Sequence, residues 1–190
     1  VFWHAALTYM KDMVLLGSTG SIGMQALDVA KLHNINVKAL SAGSNVELLI
    51  RQAEEFSPEY VCIADESKYC DLKSCLSGKG IELLCGKEGL CELASLPCDT
   101  VLNAIVGMAG FAPTLSAVGA GNRLALANKE SLVVGGEIIT DLVKEKGTDL
   151  LPIDSEHSAI FQCLMGRGEN KPKKLILTAS GGPFRGYTSD

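Results

Sequence analysis

The sequence has no apolar run that approaches the roughly 18 residues needed to cross a bilayer, so we expect no membrane-spanning helix. Positive charge is also scarce, because 17 lysines and arginines face 22 aspartates and glutamates, for a net charge of −5. This balance disfavours a general nucleic-acid binder. The opening residues, VFWHAALTYMKDM, lack a basic leader, a cleavable apolar core and the Ser/Arg richness of a transit peptide. We therefore expect no signal peptide, and we interpret residues 1–9 as an upstream remnant or a disordered leader.

No cysteine pair has the C-x-x-C spacing, although the chain contains seven cysteines. An odd number without that spacing argues against a disulfide framework and against a zinc site. Most of the seven lie in or beside apolar runs. The pattern indicates reduced thiols in a reducing compartment.

Short apolar runs alternate with segments of helical period, and we find no internal repeat or low-complexity segment. The predicted strands are residues 13–17, 36–40, 60–64, 81–85, 100–106, 123–127, 149–153 and 173–178. The predicted helices lie near residues 21–33, 46–55, 66–76, 88–95, 112–119, 130–146 and 155–164. Several strands are apolar on both faces, as in a parallel sheet covered on both sides. The pattern predicts an α/β protein with a Rossmann-like, doubly wound and mostly parallel sheet.

The 190 residues suit one α/β domain with a further segment appended. The polar segment GRGENKPK, residues 166–173, is the best candidate for a linker. It precedes a last predicted strand and the segment SGGPFRGYTSD, where a new element is expected to begin. We interpret the chain as a truncated one.

A glycine turn, GSTGSIG, follows the first predicted strand and opens the first predicted helix. Gly17, Gly20 and Gly23 allow a pyrophosphate to approach the backbone, and the helix N-terminus offers free N–H groups and a positive dipole end. Thr19 and Ser21 add hydroxyl donors to the same turn. The spacing is G-x-x-G-x-x-G instead of the dinucleotide fingerprint G-x-G-x-x-G, so a purely structural turn is the alternative.

The second predicted strand runs into LSAGSN, residues 40–45, which contains no acidic residue. NAD-preferring sites place a carboxylate there for the ribose 2′-hydroxyl, and that carboxylate would repel a 2′-phosphate. Ser41, Ser44 and Asn45 would not repel it, so the segment favours NADP. Asn45 is also a candidate N-cap for the helix that begins at Val46, and the two roles are compatible.

The segment LANKESL places Asn128, Lys129 and Glu130 between a strand's carboxyl end and a helix. Ligands of open α/β sheets bind at that edge. The structural alternative is that Asn128 is an N-cap, Glu130 is a first-turn acid and Lys129 is solvated.

The segment DSEH, residues 154–157, places two carboxylates at the end of a predicted strand. Asp154 and Glu156 offer the oxygen ligands that Mg²⁺ or Mn²⁺ prefers, although two ligands cannot complete an octahedral site. Capping of the next helix by Asp154 or Ser155 is the alternative. We interpret His157 as a helix-surface residue. The segment SGGPF, which begins at Ser180, is either an anion-binding nest or a turn.

Together these segments resemble the 1-deoxy-D-xylulose 5-phosphate reductoisomerase family. The resemblance covers residues 12–190, in the family's order and at compatible spacing. It is carried by the segments GSTGSIG, LANKESL, DSEH with AIFQ, SGGPF, AIVGMAG and EFSPEYV. The departure is Ser44, where some members of the family carry a basic residue.

The resemblance implies an NADPH-binding domain over residues 10–153 and the start of a second, catalytic α+β domain over residues 154–190. It assigns NADPH contacts to Thr19, Gly20, Ser21, Ile22, Gly43, Ser44, Asn45, Asn128 and Glu130. It assigns Mg²⁺ or Mn²⁺ to Asp154 and Glu156, and the sugar phosphate to Lys129, Ser155, Glu156 and Ser180. Lys129, Asp154 and Glu156 are then the catalytic residues. The full-length protein is expected to be a homodimer.

In that family a metal-assisted rearrangement of the carbon skeleton precedes hydride transfer from NADPH, and the product is 2-C-methyl-D-erythritol 4-phosphate. The family's third metal carboxylate and most of its phosphate site would lie beyond Asp190. We therefore expect these 190 residues alone to bind NADPH with little or no turnover. The alternatives are a reductase of the semialdehyde dehydrogenase or dihydrodipicolinate reductase type, and a non-catalytic dinucleotide-binding module. We expect a bacterial cytoplasm, or a plastid if a transit peptide has been removed.

Overall fold

Seven short strands pair side by side into one sheet in the computed structural model, which describes residues 10–165, 171–177 and 186. The strands are β1 Asp12–Leu16, β2 Asn36–Ala42, β3 Tyr60–Ile63, β4 Glu82–Cys85, β5 Thr100–Asn103, β6 Leu124–Leu126 and β7 Leu150–Pro152. The helices are α1 Ser21–His33, α2 Val46–Phe56, α3 Tyr69–Leu76, α4 Gly86–Ser95, α5 Phe111–Gly119, α6 Lys129–Lys146 and α7 Ser155–Leu164. Single 3₁₀ turns precede α3 and α5 at Glu66–Lys68 and Gly107–Gly110. None of the helices in these ranges is long and apolar enough to cross a membrane.

The strand order is β4-β3-β2-β1-β5-β6-β7, and all six pairings are parallel. The chain builds the sheet outward from β1 to β4, then returns to the other side of β1 and builds outward again to β7. The order therefore reverses between β1 and β5. In doubly wound sheets this reversal opens a crevice at the carboxyl ends of the strands, where ligands bind. The predicted fold class is confirmed.

Successive side chains of β1 point to opposite faces of the sheet, and each face is covered by a hydrophobic core. Met13 and Leu15 pack into a core beneath α1, α2 and α3, whereas Val14 and Leu16 pack into a second core beneath α4, α5 and α6. All four side chains are almost fully buried. Since neither face of β1 reaches water, the periodic signal of a half-exposed strand is absent, as expected for the centre of a parallel sheet.

The predicted strand at 173–178 is wrong over residues 173–177, which form no strand in the structure, and residue 178 lies outside the described residues. Leu175, Ile176 and Leu177 are exposed. An apolar run becomes a strand only when a neighbouring strand satisfies its backbone groups, and these residues pair with none of β1 to β7. The proposed domain boundary between residues 153 and 154 stays a prediction.

Candidate functional site

The glycine turn after β1 is held tightly against the end of β2. Both the Gly17 and the Ser18 N–H groups donate to the Ser41 carbonyl, at 3.1 and 2.7 Å. Gly17 has a left-handed φ of +85°, which favours glycine. A Cβ atom added to Gly23 would lie 2.2 Å from the Gly17 carbonyl oxygen, so the start of α1 packs directly on the turn. The turn therefore requires glycine at both positions.

The N-terminus of α1 is open toward the carboxyl edge of the sheet. Its N-cap, Gly20, supplies no side-chain hydrogen bond to the first turn. Gly20, Ser21 and Ile22 are exposed, and Thr19 is half-buried. Free N–H groups and the positive end of the helix dipole at this position suit an anion such as a phosphate.

A buried pair of hydrogen bonds fastens the turn from below. The Ser18 hydroxyl donates to Gln52 Oε1 at 2.6 Å, and Gln52 Nε2 donates to the Ser18 carbonyl at 3.0 Å. Both residues are buried between the turn and α2. Gln52 was not predicted as a site residue; the available signal was a polar residue at a core position of an amphipathic helix.

The end of β2 lies beside this turn, with Gly43, Ser44 and Asn45 exposed. Asn45 is the N-cap of α2, because its Oδ1 accepts from the Leu48 N–H at 3.1 Å. The predicted capping role is thus confirmed. An exposed, acid-free segment at this position leaves room for a phosphate on the ribose.

Asn128 is the N-cap of α6 and is 2% exposed. Its Oδ1 accepts from the Ser131 N–H at 2.8 Å, which confirms the predicted cap. Its Nδ2 donates to the carbonyls of Ile105 and Gly107, in the segment that follows β5. The next residue, Lys129, is exposed, and Glu130 is half-buried.

Asp154 is the N-cap of α7, with its Oδ2 3.5 Å from the His157 N–H. Its Oδ1 lies 2.7 Å from His157 Nδ1. His157 is half-exposed, so the predicted surface position holds, but its ring also contacts the Asp154 carboxylate. The i, i+3 spacing at a helix start was the sequence signal for this contact. Ser155 is exposed and Glu156 is half-buried.

Four of the predicted residues line two cavities. Lys129 and Asp154 line one cavity of about 200 Å³, together with His157. Ile22 and Ser155 line a second, of about 320 Å³, which runs along the α1 side of β5, β6 and β7. The glycine turn, the start of α6 and the start of α7 follow the carboxyl ends of β1, β6 and β7, so all three lie along the same edge of the sheet. Ser180 lies outside the described residues.

The oxygen ligands at the start of α7 suit a hard divalent cation. Asp154 and Glu156 supply carboxylates, the donors that Mg²⁺ and Mn²⁺ prefer. Across residues 10–165 and 171–177, no group of three or more His, Cys, Asp or Glu side chains is placed to hold a metal ion. The chemistry of these two donors suits the cation, and substrate, water or a further carboxylate would have to supply the other ligands of an octahedral set.

Two of the cysteines, buried Cys62 and half-buried Cys98, are poor nucleophiles. Burial raises the pKa of the Cys62 thiol to about 12 and that of the Cys98 thiol to about 11. Cys62 belongs to β3, close to the carboxyl edge where a nucleophile would stand. Because a thiol with such a pKa stays protonated at neutral pH, Cys62 does not fit a dehydrogenase that forms a covalent thioester.

The strand order and the glycine turn at its reversal define the class of this protein: an α/β protein with the Rossmann-like fold of dinucleotide-binding enzymes. Family comparison is more specific. The model for 1-deoxy-D-xylulose 5-phosphate reductoisomerase matches residues 13–136, and that for the C-terminal domain of the same enzyme matches residues 150–190. The chain belongs to the 1-deoxy-D-xylulose 5-phosphate reductoisomerase family.

Individual relatives agree with this assignment. The reductoisomerase of Agathobacter rectalis is 52% identical over 179 residues, covering 93% of this chain and 47% of the relative. The reductoisomerase of Chloroherpeton thalassium is 54% identical, and the match covers 93% of this chain and 46% of the relative. The Zymomonas mobilis reductoisomerase in complex with NADPH superposes with a TM-score of 0.87 at 44% identity, over 94% of this chain and 48% of that one. A reductoisomerase in complex with NADPH, fosmidomycin and magnesium has a TM-score of 0.79 at 42% identity, and the match covers 83% of this chain and 40% of that one. The chain spans about half the length of the curated relatives it matches.

Proposed function

We propose that this chain is the NADPH-binding and metal-binding part of a reductoisomerase that converts 1-deoxy-D-xylulose 5-phosphate into 2-C-methyl-D-erythritol 4-phosphate. The observation that supports the proposal is that the glycine turn, Lys129 and the pair Asp154 and Glu156 each follow the carboxyl end of a strand, and so lie along one edge of the parallel sheet. Membership of the family supports it, as do the NADPH and magnesium complexes of solved relatives.

The nucleotide would lie across the reversal between β1 and β5. Thr19, Gly20, Ser21 and Ile22 would bind the pyrophosphate, because the open N-terminus of α1 offers N–H donors and a positive dipole end. Gly43, Ser44 and Asn45 would accept the phosphorylated ribose without a repelling carboxylate. The nicotinamide half would then lie toward β5 and β6, beside Asn128 and Glu130.

The reacting sugar would lie between the starts of α6 and α7. When bound, NADPH supplies the hydride and the divalent cation supplies Lewis acidity toward the substrate's oxygens. Asp154 and Glu156 would hold the cation, with Asp154 already oriented by its cap and by His157. Lys129 brings a positive charge to the same cavity, where it would stabilise a developing oxyanion. Ser155 would bind the sugar phosphate, together with Ser180.

Titration of this chain with NADPH and NADH tests the cofactor proposal. We expect tighter binding of NADPH, followed by the fluorescence of the reduced nicotinamide. Ser44→Asp places a carboxylate beside the 2′-phosphate and should weaken NADPH binding about tenfold, with NADH unaffected. Ser74→Asp adds the same charge on exposed α3 and serves as the control. Equal affinities for the two nucleotides in the unaltered chain would contradict the proposal.

The metal assignment is tested by Mn²⁺ binding, measured by electron paramagnetic resonance of the free ion. Asp154→Asn should weaken binding about tenfold or more while the α7 cap survives, because asparagine caps helices as well as aspartate does. Asp141→Asn, which removes an exposed carboxylate from α6, is the matched control. If the unaltered chain bound NADPH but Asp154→Asn and Asp141→Asn had equal affinities for Mn²⁺, the metal assignment would be contradicted. The alternative of a non-catalytic dinucleotide-binding module would then be favoured.

We further propose a homodimer for the full-length protein and a bacterial cytoplasm as its location. Exposed apolar side chains on α6, at Val133, Val134 and Ile138, offer a surface for a second copy. The relatives named above are bacterial, which supports the location. Sedimentation velocity of the full-length protein tests the dimer, and a monomer at micromolar concentration would refute it.

A further inference from the structure

The segment after β5, residues 104–110, forms the second wall of the crevice at the reversal of strand order. It approaches the glycine turn closely: a Cβ atom added to Gly17 would lie 2.9 Å from the Ala104 carbonyl oxygen. The segment turns through Gly107, with a φ of +72°, and presents Val106 and Met108 to solvent. A dinucleotide bound across this crevice, as proposed above, would pass its nicotinamide half over these residues.

Two buried asparagines hold this segment from below. Asn103 Nδ2 donates to the Gly110 carbonyl and to Thr114 Oγ1, both at 2.9 Å, and its Oδ1 accepts from the Ile105 N–H at 3.1 Å. Asn128 holds the same segment from the start of α6, with Nδ2 donating to the Ile105 carbonyl and, at 2.7 Å, to the Gly107 carbonyl.

Both polar atoms of the Asn128 side chain are hydrogen-bonded to other groups of the protein. Its two Nδ2 protons go to the two carbonyls, and its Oδ1 accepts from the Ser131 N–H and hydroxyl. The packing is also tight, since a Cβ atom added to Gly110 would lie 2.7 Å from Asn128 Nδ2. A side chain with these partners and 2% exposure has no polar atom left for a ligand.

We propose that Asn103 and Asn128 are positioning residues: Asn103 fixes segment 104–110 to the end of β5 and to α5, and Asn128 fixes it to the start of α6. The fastening sets the place of the nicotinamide half of the cofactor relative to Lys129 and Glu130. This inference rests on the proposed function, and it changes how Asn128 contributes: its side chain acts through the segment. The adenosine half, bound between the glycine turn and the end of β2, does not depend on it.

The test compares two ligands on one set of variants. Asn128→Asp keeps the Oδ1 cap of α6 but removes the Nδ2 donors and sets a carboxylate against two carbonyl oxygens. We expect its Kd for NADPH to rise about tenfold, with the Kd for 2′,5′-ADP, the adenosine half alone, unchanged within twofold. Hydrogen exchange of the amides in segment 104–110 should become faster than in the unaltered chain.

Asn122 provides a matched control at the other end of β6. Its Nδ2 donates to the carbonyls of Ala94 and Leu96, at 3.1 and 2.9 Å, and it is equally buried among backbone groups. Asn122→Asp should lower thermal stability as Asn128→Asp does and leave both affinities unchanged. A structural role alone would make the two variants behave alike.

Thr114→Val keeps the test valid if Asn128→Asp does not fold. It removes one acceptor of Asn103 without changing side-chain shape, and a selective loss of NADPH affinity of about threefold is expected. Equal weakening of both ligands, or no weakening of NADPH, in the variant that folds would overturn the inference. Absence of NADPH binding in the unaltered chain would instead overturn the proposed function and the inference with it.

Discussion

Adding a single methyl group at Gly23 tests whether α1 packs directly against the glycine turn. The Cβ atom of Gly23→Ala would lie 2.2 Å from the Gly17 carbonyl oxygen and 2.6 Å from Ser18 Cα. Both are backbone atoms, so no side chain can rotate away. The helix and the turn must separate by roughly 1 Å or more before these contacts become tolerable.

The expected cost follows from two opposing effects. Overpacking of this kind costs about 1–3 kcal/mol, and the rigid backbone opposite Gly23 places it at the upper end. Alanine's preference for helices returns up to about 1 kcal/mol. The net loss is about 2 kcal/mol in the free energy of unfolding, or a Tm decrease of roughly 4–8 °C. Because the N–H groups of α1 also move, NADPH affinity should fall about tenfold.

Urea unfolding and NADPH titration measure the two effects on the same protein. Gly136→Ala is the matched control, because its Cβ atom would meet nothing within 4 Å on α6 and should stabilise the protein by up to about 1 kcal/mol. If Gly23→Ala unfolded at the same urea concentration as the unaltered chain and bound NADPH equally well, the close packing of α1 on the turn would be refuted.

Two further predictions concern buried groups. Gln52→Ala should lower the free energy of unfolding by about 2–3 kcal/mol, because the Ser18 hydroxyl and carbonyl lose their buried partner, and it should weaken NADPH binding. Gln25→Ala, at an exposed position of α1, is the control and should change neither quantity. Urea unfolding and NADPH titration measure the two effects. Cys62 should resist iodoacetamide at pH 8 while exposed Cys70 and Cys163 react, as mass spectrometry of the native protein would show. Since the folded pKa of about 12 exceeds that of an unfolded thiol, roughly 8.5, Cys62 makes stability fall as the pH rises through that interval, and the fall should be smaller in Cys62→Ala. Labelling of Cys62 at the rate of Cys70 would contradict its burial.

The sequence alone determined the fold class and the approximate positions of the helices and of the seven strands of the sheet. Helices over residues 21–33 and 155–164 were predicted at the bounds that the structure shows, because a capping residue or glycine precedes each and the apolar period continues to its end. The three caps at Asn45, Asn128 and Asp154 were also readable, since capping depends on residues three positions apart. Local physics is sufficient for such features.

Only the tertiary structure decided how distant segments meet. The sequence of β5, TVLN, does not indicate that Asn103 holds the following segment. Its hydrogen-bond partners Gly110 and Thr114 lie close to it only because the chain turns back after β5. The apolar run at 173–177 shows the converse, since it has strand character in sequence and no neighbouring strand among the described residues. Hydrogen bonds between buried groups depend on which backbones the fold places side by side, and a residue's own neighbours in sequence do not specify that.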